Sequence, residues 1–333
     1  MAEQNIGVKG SKRVKSIQKN LICEGNQNLK VEDSEDVNTK QIIGKEEKEE
    51  LNSQAKEILE KIQNKNLKRS AEELREYCMR LLDASYATDD HYFKFFTNHA
   101  SYHSQIILKR LKEILSETRM KNDYEYYLLF TAAYAHDLGM LPQKINGVYE
   151  DYASKDVVVL ARKRHHVRSY EYIKANWREM GLIGETESEH LGSVCKAHSS
   201  KEDINKVDES AGCIIDGEKC EVRLRFLATL IRLADGLDLE HRRIPPEFIT
   251  QGAELSEKDV EEYIKHGSVK NVSVNHKDQM IYIELLFKEK EPDKDVIESM
   301  KKHVLEEFDS VKKILWENGV DIKGVEFLET QSK

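Results

Sequence analysis

The run Leu128-Leu129-Phe130-Thr131-Ala132-Ala133-Tyr134-Ala135-His136-Asp137-Leu138-Gly139 decides how the chain is read. An apolar stretch of helical length ends in His-Asp, and a glycine follows two residues after the aspartate. Ionisable groups at the end of a buried helix are costly unless they are paired, hydrogen-bonded or bound to a metal. A satisfied core histidine beside a helix-end aspartate would give the same local pattern. The pair gains meaning only if other His and Asp residues complete a site. Gly139 is expected to cap the helix in the left-handed conformation.

Working outward, each neighbouring helical stretch offers one such residue. Before the dyad, Ile106, Ile107, Leu108, Leu111, Ile114 and Leu115 continue a helix that carries His99 and His103, four apart and so on one face. Two half-exposed histidines would show the same spacing. After it, a helix from Ser154 or Asp156 to Trp177 carries Arg162-Lys163-Arg164-His165-His166-Val167-Arg168-Ser169. That segment reads either as a solvated basic face or as a histidine ligand among cations suited to phosphate. A further helix reaches Ala197-His198. The helix within 221–240 has Leu224, Leu227, Ala228, Ile231 and Ala234 on its apolar side, then Asp235 and Asp238. The ordered set is His103, His136-Asp137, His165, His198 and Asp235. A helical bundle can gather such residues into a metal site. Nitrogen and carboxylate donors without thiolate favour Mn, Fe, Co, Ni or Zn.

Composition narrows the setting. The 333 residues carry a net charge of −9, which argues against nonspecific nucleic-acid binding through overall charge. No apolar run is long enough to span a bilayer, and no signal-peptide core is present at the N-terminus. Five scattered cysteines (Cys23, Cys78, Cys195, Cys213 and Cys220), with no CxxC pair, suggest reduced thiols in a cytoplasmic protein. Proline is scarce, with four residues, and amphipathic stretches dominate, so the fold is expected to be mainly α.

Residues 1–48 are polar and read as a disordered tail. Two S/T-x-x-E patterns, Ser70 with Glu73 and Thr186 with Glu189, read as capping boxes that start helices, and Thr88-Asp89-Asp90 reads as another start. Residues 199–219 read as a surface insertion or flap. Beyond Pro245-Pro246 the pattern changes. A short helix, strands over 269–274 and 280–287, a helix over 293–318 and a last strand suggest a small antiparallel sheet packed on helices. The expected division is a tail (1–48), a helical domain (49–245) and a small α+β subdomain (246–333).

The set His103 in His-Ser-Gln-Ile-Ile, His136-Asp137 in Ala-His-Asp-Leu-Gly and Asp235 in Arg-Leu-Ala-Asp-Gly-Leu-Asp resembles the HD superfamily of metal-dependent phosphohydrolases, over about residues 90–245. His165 and His198 resemble the two additional histidines of its binuclear branch. The resemblance implies an HD-domain helical bundle with a C-terminal extension. It implies that His103, His136 and Asp235 hold one divalent metal, that His165 and His198 hold a second, and that Asp137 bridges them. A metal-activated water would then attack a phosphoester such as a nucleotide or cyclic nucleotide. Lys144, Arg162 and Arg168 are the expected phosphate contacts, and His99, His166 and Asp238 the residues that orient ligands. Met140 stands where the HD-GYP branch has lysine, and no Gly-Tyr-Pro follows His198, which sets cyclic-di-GMP apart. Two other functions share the framework: a di-iron oxygenase like inositol oxygenase, and a non-catalytic nucleotide sensor or adaptor. The C-terminal subdomain would serve as a substrate lid, a regulatory appendage or, like the tail, a surface for a second copy or a protein partner.

Overall fold

The fold is organised around α4 (Asp123–Ala135), the helix that leads into the His-Asp pair. The structure, a computed structural model, describes residues 45–86, 101–116, 118, 120–145, 147–240, 243, 257–287 and 294–331. The Asn122 side chain caps α4 by accepting from the Glu125 N–H, and Asp123 and Glu125 place negative charge in its first turn. Nearly every α4 side chain from Tyr124 onward is buried, so it is hydrophobic all round and must be enclosed. It is surrounded by α1 (Lys45–Leu59), α2 (Lys65–Tyr86), α3 (Ser101–Leu115), α6 (Glu185–Lys196) and α7 (Leu224–Gly236). A short 3-10 turn at Leu138–Met140 packs on α5 (Lys155–Asn176). Among the described residues no helix is long and apolar enough to cross a membrane.

The C-terminal part is α8 (Glu257–Gly267), β5 (Val269–Asn275), β6 (Met280–Phe287), α9 (Lys294–Glu317) and β7 (Gly324–Gln331). The sheet order is β5-β6-β7. The chain is thus mainly α with a small C-terminal α+β part, as expected. The sheet itself corrects the all-antiparallel expectation. β5 and β6 pair antiparallel, but β6 and β7 pair parallel. The 24-residue α9 carries the chain back, so β7 starts at the same end as β6. α9 packs against α7, and its buried stripe of Ile297, Met300, Val304, Phe308, Val311 and Leu315 joins the main core.

Three local expectations are also corrected. Ser70 lies inside α2, where its hydroxyl donates to Gly181 O (2.7 Å) and meets the Tyr127 hydroxyl (2.9 Å). The α2 start is instead satisfied by the Asn64 side chain, which accepts from the N–H groups of Asn66 and Leu67. Likewise α6 begins at Glu185, and the Glu187 carboxylate reaches back to the N–H groups of Ile183 and Gly184. The flap at 199–219 contains a 3-10 turn (Ile204–Lys206) and runs into a hairpin of β3 (Ala211–Ile215) and β4 (Glu218–Val222). Cys213 and Cys220 face each other in its register and form a disulfide, against the expectation that all thiols are reduced. Cys78 and Cys195 are free and buried. Another hairpin, β1 (Lys144–Ile145) with β2 (Val148–Tyr149), follows the dyad. The proposed start at Thr88-Asp89-Asp90 lies outside the described residues, as does nearly all of the expected tail.

Candidate metal centre

Five helices deliver the expected residues to one place. His103 comes from α3, His136 and Asp137 from the turn after α4, His165 from α5, His198 from just beyond α6, and Asp235 from the last turn of α7. Their donor atoms fall into two groups: His103, His136 and Asp235, and Asp137, His165 and His198. In the first, His103 Nε2 lies 3.2 Å from His136 Nε2 and 3.2 Å from Asp235 Oδ1. In the second, His165 Nε2 lies 2.8 Å from His198 Nε2. Asp137 stands between them. Its Oδ2 is 3.2 Å from His136 Nε2 and 3.4 Å from His103 Nε2, while its Oδ1 is 3.5 Å from His165 Nε2 and 3.9 Å from His198 Nε2.

The other ring nitrogen of each histidine explains why these atoms converge. His136, His165 and His198 each direct Nδ1 at the carbonyl three residues earlier, on Ala133, Arg162 and Cys195. A carbonyl only accepts, so each Nδ1 carries the proton and each Nε2 presents a lone pair. His103 does the same through Asp238 Oδ2, at 2.6 Å. Two pairs of Nε2 lone pairs thus face each other at close range, which is repulsive unless a cation lies between them. The donor set and its tautomers fit a metal in each group, with ligand-orienting bonds of the usual kind behind every histidine.

The electrostatics are divided accordingly. Without a cation, burial and Arg243 oppose charge on His103, but hydrogen bonds to Asp137, Asp235 and Asp238 outweigh them and push its pKa up to about 10, so a proton then takes the Nε2 lone pair that a metal would displace it from. Burial, then His165 and His136, pull His198 down to about 3. Burial opposes ionisation of Asp235, yet His103 and the other histidines hold its carboxyl far below the usual range. His103, His136, Asp137 and His198 are almost fully buried, whereas the His165 and Asp235 side chains keep 19% and 26% exposure. The centre therefore opens on the side of α5 and the end of α7.

Close packing fixes the dyad turn. Gly139 is not left-handed, contrary to the capping expectation; it is needed because α5 passes so near. A Cβ there would meet His165 O at 2.0 Å and Ser169 N at 2.5 Å. The Ser169 hydroxyl donates to His136 O (2.5 Å) and accepts from Gly139 N–H (2.8 Å). Arg232 makes a comparable clamp that sequence reasoning missed. Its guanidinium donates to the carbonyls of Ala197, Ser199 and Glu202, around His198. The available signal was an arginine between Ile231 and Leu233 on a strongly amphipathic helix.

Of the expected phosphate contacts, Arg162 lines the cavity beside the centre. Arg168 does not. It donates to Gly139 O and Leu141 O and forms a two-pronged pair with Glu150, so it holds the loop after the dyad. Lys144 is exposed on β1, with its Nζ 5.7 Å from the Tyr149 ring centre, and is not among the lining residues. His166 is buried behind His165 at a ring separation of 5.7 Å, and its Nε2 lies 3.5 Å from Glu202. His99 lies outside the described residues.

A helical bundle with this paired His and Asp donor set defines an HD-type protein with residues able to bind metal. A family model described as HD-CE matches residues 90–313, most of the chain, and the protein belongs to that family. No curated protein matches the sequence.

Proposed function

We propose that the protein is a metal-dependent phosphohydrolase that cleaves a small phosphoester. The observation that carries this reading is Asp137, with one carboxylate oxygen toward each of two histidine pairs whose Nε2 lone pairs converge. His103, His136 and Asp235 would hold one divalent ion, and His165 and His198 the other, with Asp137 shared. When bound, such a pair of ions lowers the pKa of a water nucleophile and neutralises charge building up on phosphoryl oxygens. The chain's own residues supply the rest. Asp238 holds His103 in the tautomer that frees Nε2. Ser169 and Arg232 lock the turns that carry His136 and His198. Arg162 offers a planar guanidinium at the open side of the centre, suited to two oxygens of one phosphate. Burial around Asp137 keeps bulk water from screening these charges.

The test is metal quantification on protein purified without chelator, paired with a phosphoester panel assayed for release of phosphate or a nucleoside monophosphate. Wild type is expected to carry divalent metal and to cleave at least one substrate, and Asp137→Ala to lose both. Metal-loaded wild type that releases neither phosphate nor a nucleoside monophosphate from any substrate overturns the reading. Oxygen consumption by an iron-loaded form would point to the oxygenase instead.

A further inference from the structure

An open cavity of about 320 Å³ leads directly off the metal centre. Its inner wall includes Asp137, His165 and Asp235. The facing wall comes from the distant C-terminal part: Glu262 and Lys265 on α8, and Met300, His303, Val304 and Glu307 on α9. Positions 300, 303, 304 and 307 have the i, i+3, i+4, i+7 spacing of a single helix face. Packing on α7 alone would call for an apolar face. Met300 and Val304 meet that demand, but His303 is exposed and Glu307 is half-buried, and both reach the opening.

The charges of the two walls are linked. Lys265 Nζ pairs with Glu262 at 3.0 Å, with each side chain 26% exposed. The pair lines the cavity, so an incoming anion would meet Lys265 beside Glu262. Arg162, from α5, acts on the same carboxylate: burial opposes its ionisation, but Lys265 and Arg162 hold Glu262 below the usual carboxylate range. Arg162 and Lys265, from opposite parts of the chain, thus share one space beside the centre; Arg232 and Arg243 also line it, the first donating to the carbonyls of Ala197, Ser199 and Glu202 and the second paired with Asp235 and Asp238. Glu262 and Glu307 line that space too, so it repels a second phosphate and favours hydroxyl or amino donors. Its volume is at the low end of the roughly 300–1,000 Å³ typical of small-molecule sites, which suits a small ligand.

We propose that the C-terminal part is the specificity wall of the substrate pocket, in which Arg162 and Lys265 hold a single phosphate while His303, Glu307 and the apolar Met300 and Val304 read a polar, hydroxyl- or amino-bearing organic half. The ligand class is a singly phosphorylated small molecule, of nucleoside or sugar type. The assignment of the phosphate end rests on the hydrolase reading.

Binding to the metal-free full chain, followed by ligand-observed NMR, tests the pocket without turnover. The probes are the four nucleoside 5′-monophosphates, glucose 6-phosphate and ATP. At least one monophosphate is expected to bind, which also tells nucleoside from sugar, and ATP is expected to bind more weakly. Lys265→Ala should weaken the monophosphate by at least about tenfold, the loss of one charge-assisted hydrogen bond. His303→Trp, which narrows the opening from an exposed position, should abolish binding with an unchanged circular dichroism spectrum. Glu307→Lys should reverse the preference toward ATP, a gain that a misfolded variant cannot give. No binding by any probe, or binding indifferent to all three substitutions, overturns the proposal. If the variants behave as expected but metal-loaded wild type releases neither phosphate nor a nucleoside monophosphate, the pocket stands and the hydrolase reading falls.

Discussion

Single residues decide which histidine is a ligand and which is not. The family resemblance favours His165 over its neighbour His166, and in the structure only His165 has its Nδ1 tied to Arg162 O and its Nε2 facing His198. His165→Ala is therefore expected to lose bound metal, and His166→Ala to retain it. Equal metal content in the two variants, measured by elemental analysis, would remove His165 from the site. Gly139 tells a similar story at closer range. The sequence marked it as a helix cap, because glycine after a helix is usually that. Its real demand is space, since a methyl group would collide with α5 backbone. Gly139→Ala is expected to cost about 1–3 kcal/mol, the usual penalty for overpacking, and to reduce metal content as His136 and His165 are pushed apart. A melting temperature and metal content equal to wild type would show that the approach is slack. Asp238→Ala should lower metal affinity by about 10–100-fold, the common effect of removing the partner behind a ligating histidine. Titration of metal into chelator-treated protein reads this directly, and unaltered affinity would mean that His103 keeps its tautomer unaided.

At the scale of elements, the ligand-bearing helices were legible, the start of α5 at Ser154 among them, but the two capping-box starts were not. His136, Asp137, His198 and Asp235 stand where buried helical stretches end, and that periodicity survives folding because each stripe must be buried. Capping boxes are two-residue signals, and an S/T-x-x-E spacing arises often by chance. Ser70 was recruited to bridge α2 to Tyr127 and Gly181, and Thr186 lost to Gly184, where Glu187 reaches back. That alternative cap carries a pH signature. Burial pushes Glu187 from its ordinary 4.5 up to about 7, against hydrogen bonds from Tyr127, Ile183 and Gly184 that favour the charged form. Between those values the folded protein holds a proton that the unfolded chain has released. Stability therefore falls as pH rises through that window and levels off above it. Glu187→Gln keeps an acceptor for the two N–H groups but cannot ionise. Its melting temperature relative to wild type is expected to rise between pH 5 and pH 8. A difference that stays constant across that range would show that Glu187 titrates normally.

The relation between the two ends of the chain is what the sequence concealed. Nothing local connects Lys265 or His303 with Asp137, because the cavity exists only once α9 has packed on α7. The same holds for the parallel pairing of β6 and β7, which depends on where α9 deposits the chain. The joint is held by a buried arginine. Arg110 lies on α3, two helical turns beyond His103, yet it is 0% exposed. Its guanidinium donates to Val272 O on β5 (2.6 Å), to Glu113 (2.7 Å) and to the buried Glu240. It thus fastens the helix that carries His103 to the C-terminal sheet. A buried ion pair adds little against a well-packed apolar substitute, but removing one partner strands the other charge. Arg110→Leu is accordingly expected to cost about 3–5 kcal/mol, whereas Arg110→Leu combined with Glu240→Leu should recover much of that loss. Urea unfolding midpoints of the two variants measure both effects. If Arg110→Leu alone leaves the midpoint unchanged, the joint is held by apolar packing. If the double variant is no better than the single, the cost lies in the lost bond to Val272 and not in the stranded carboxylate.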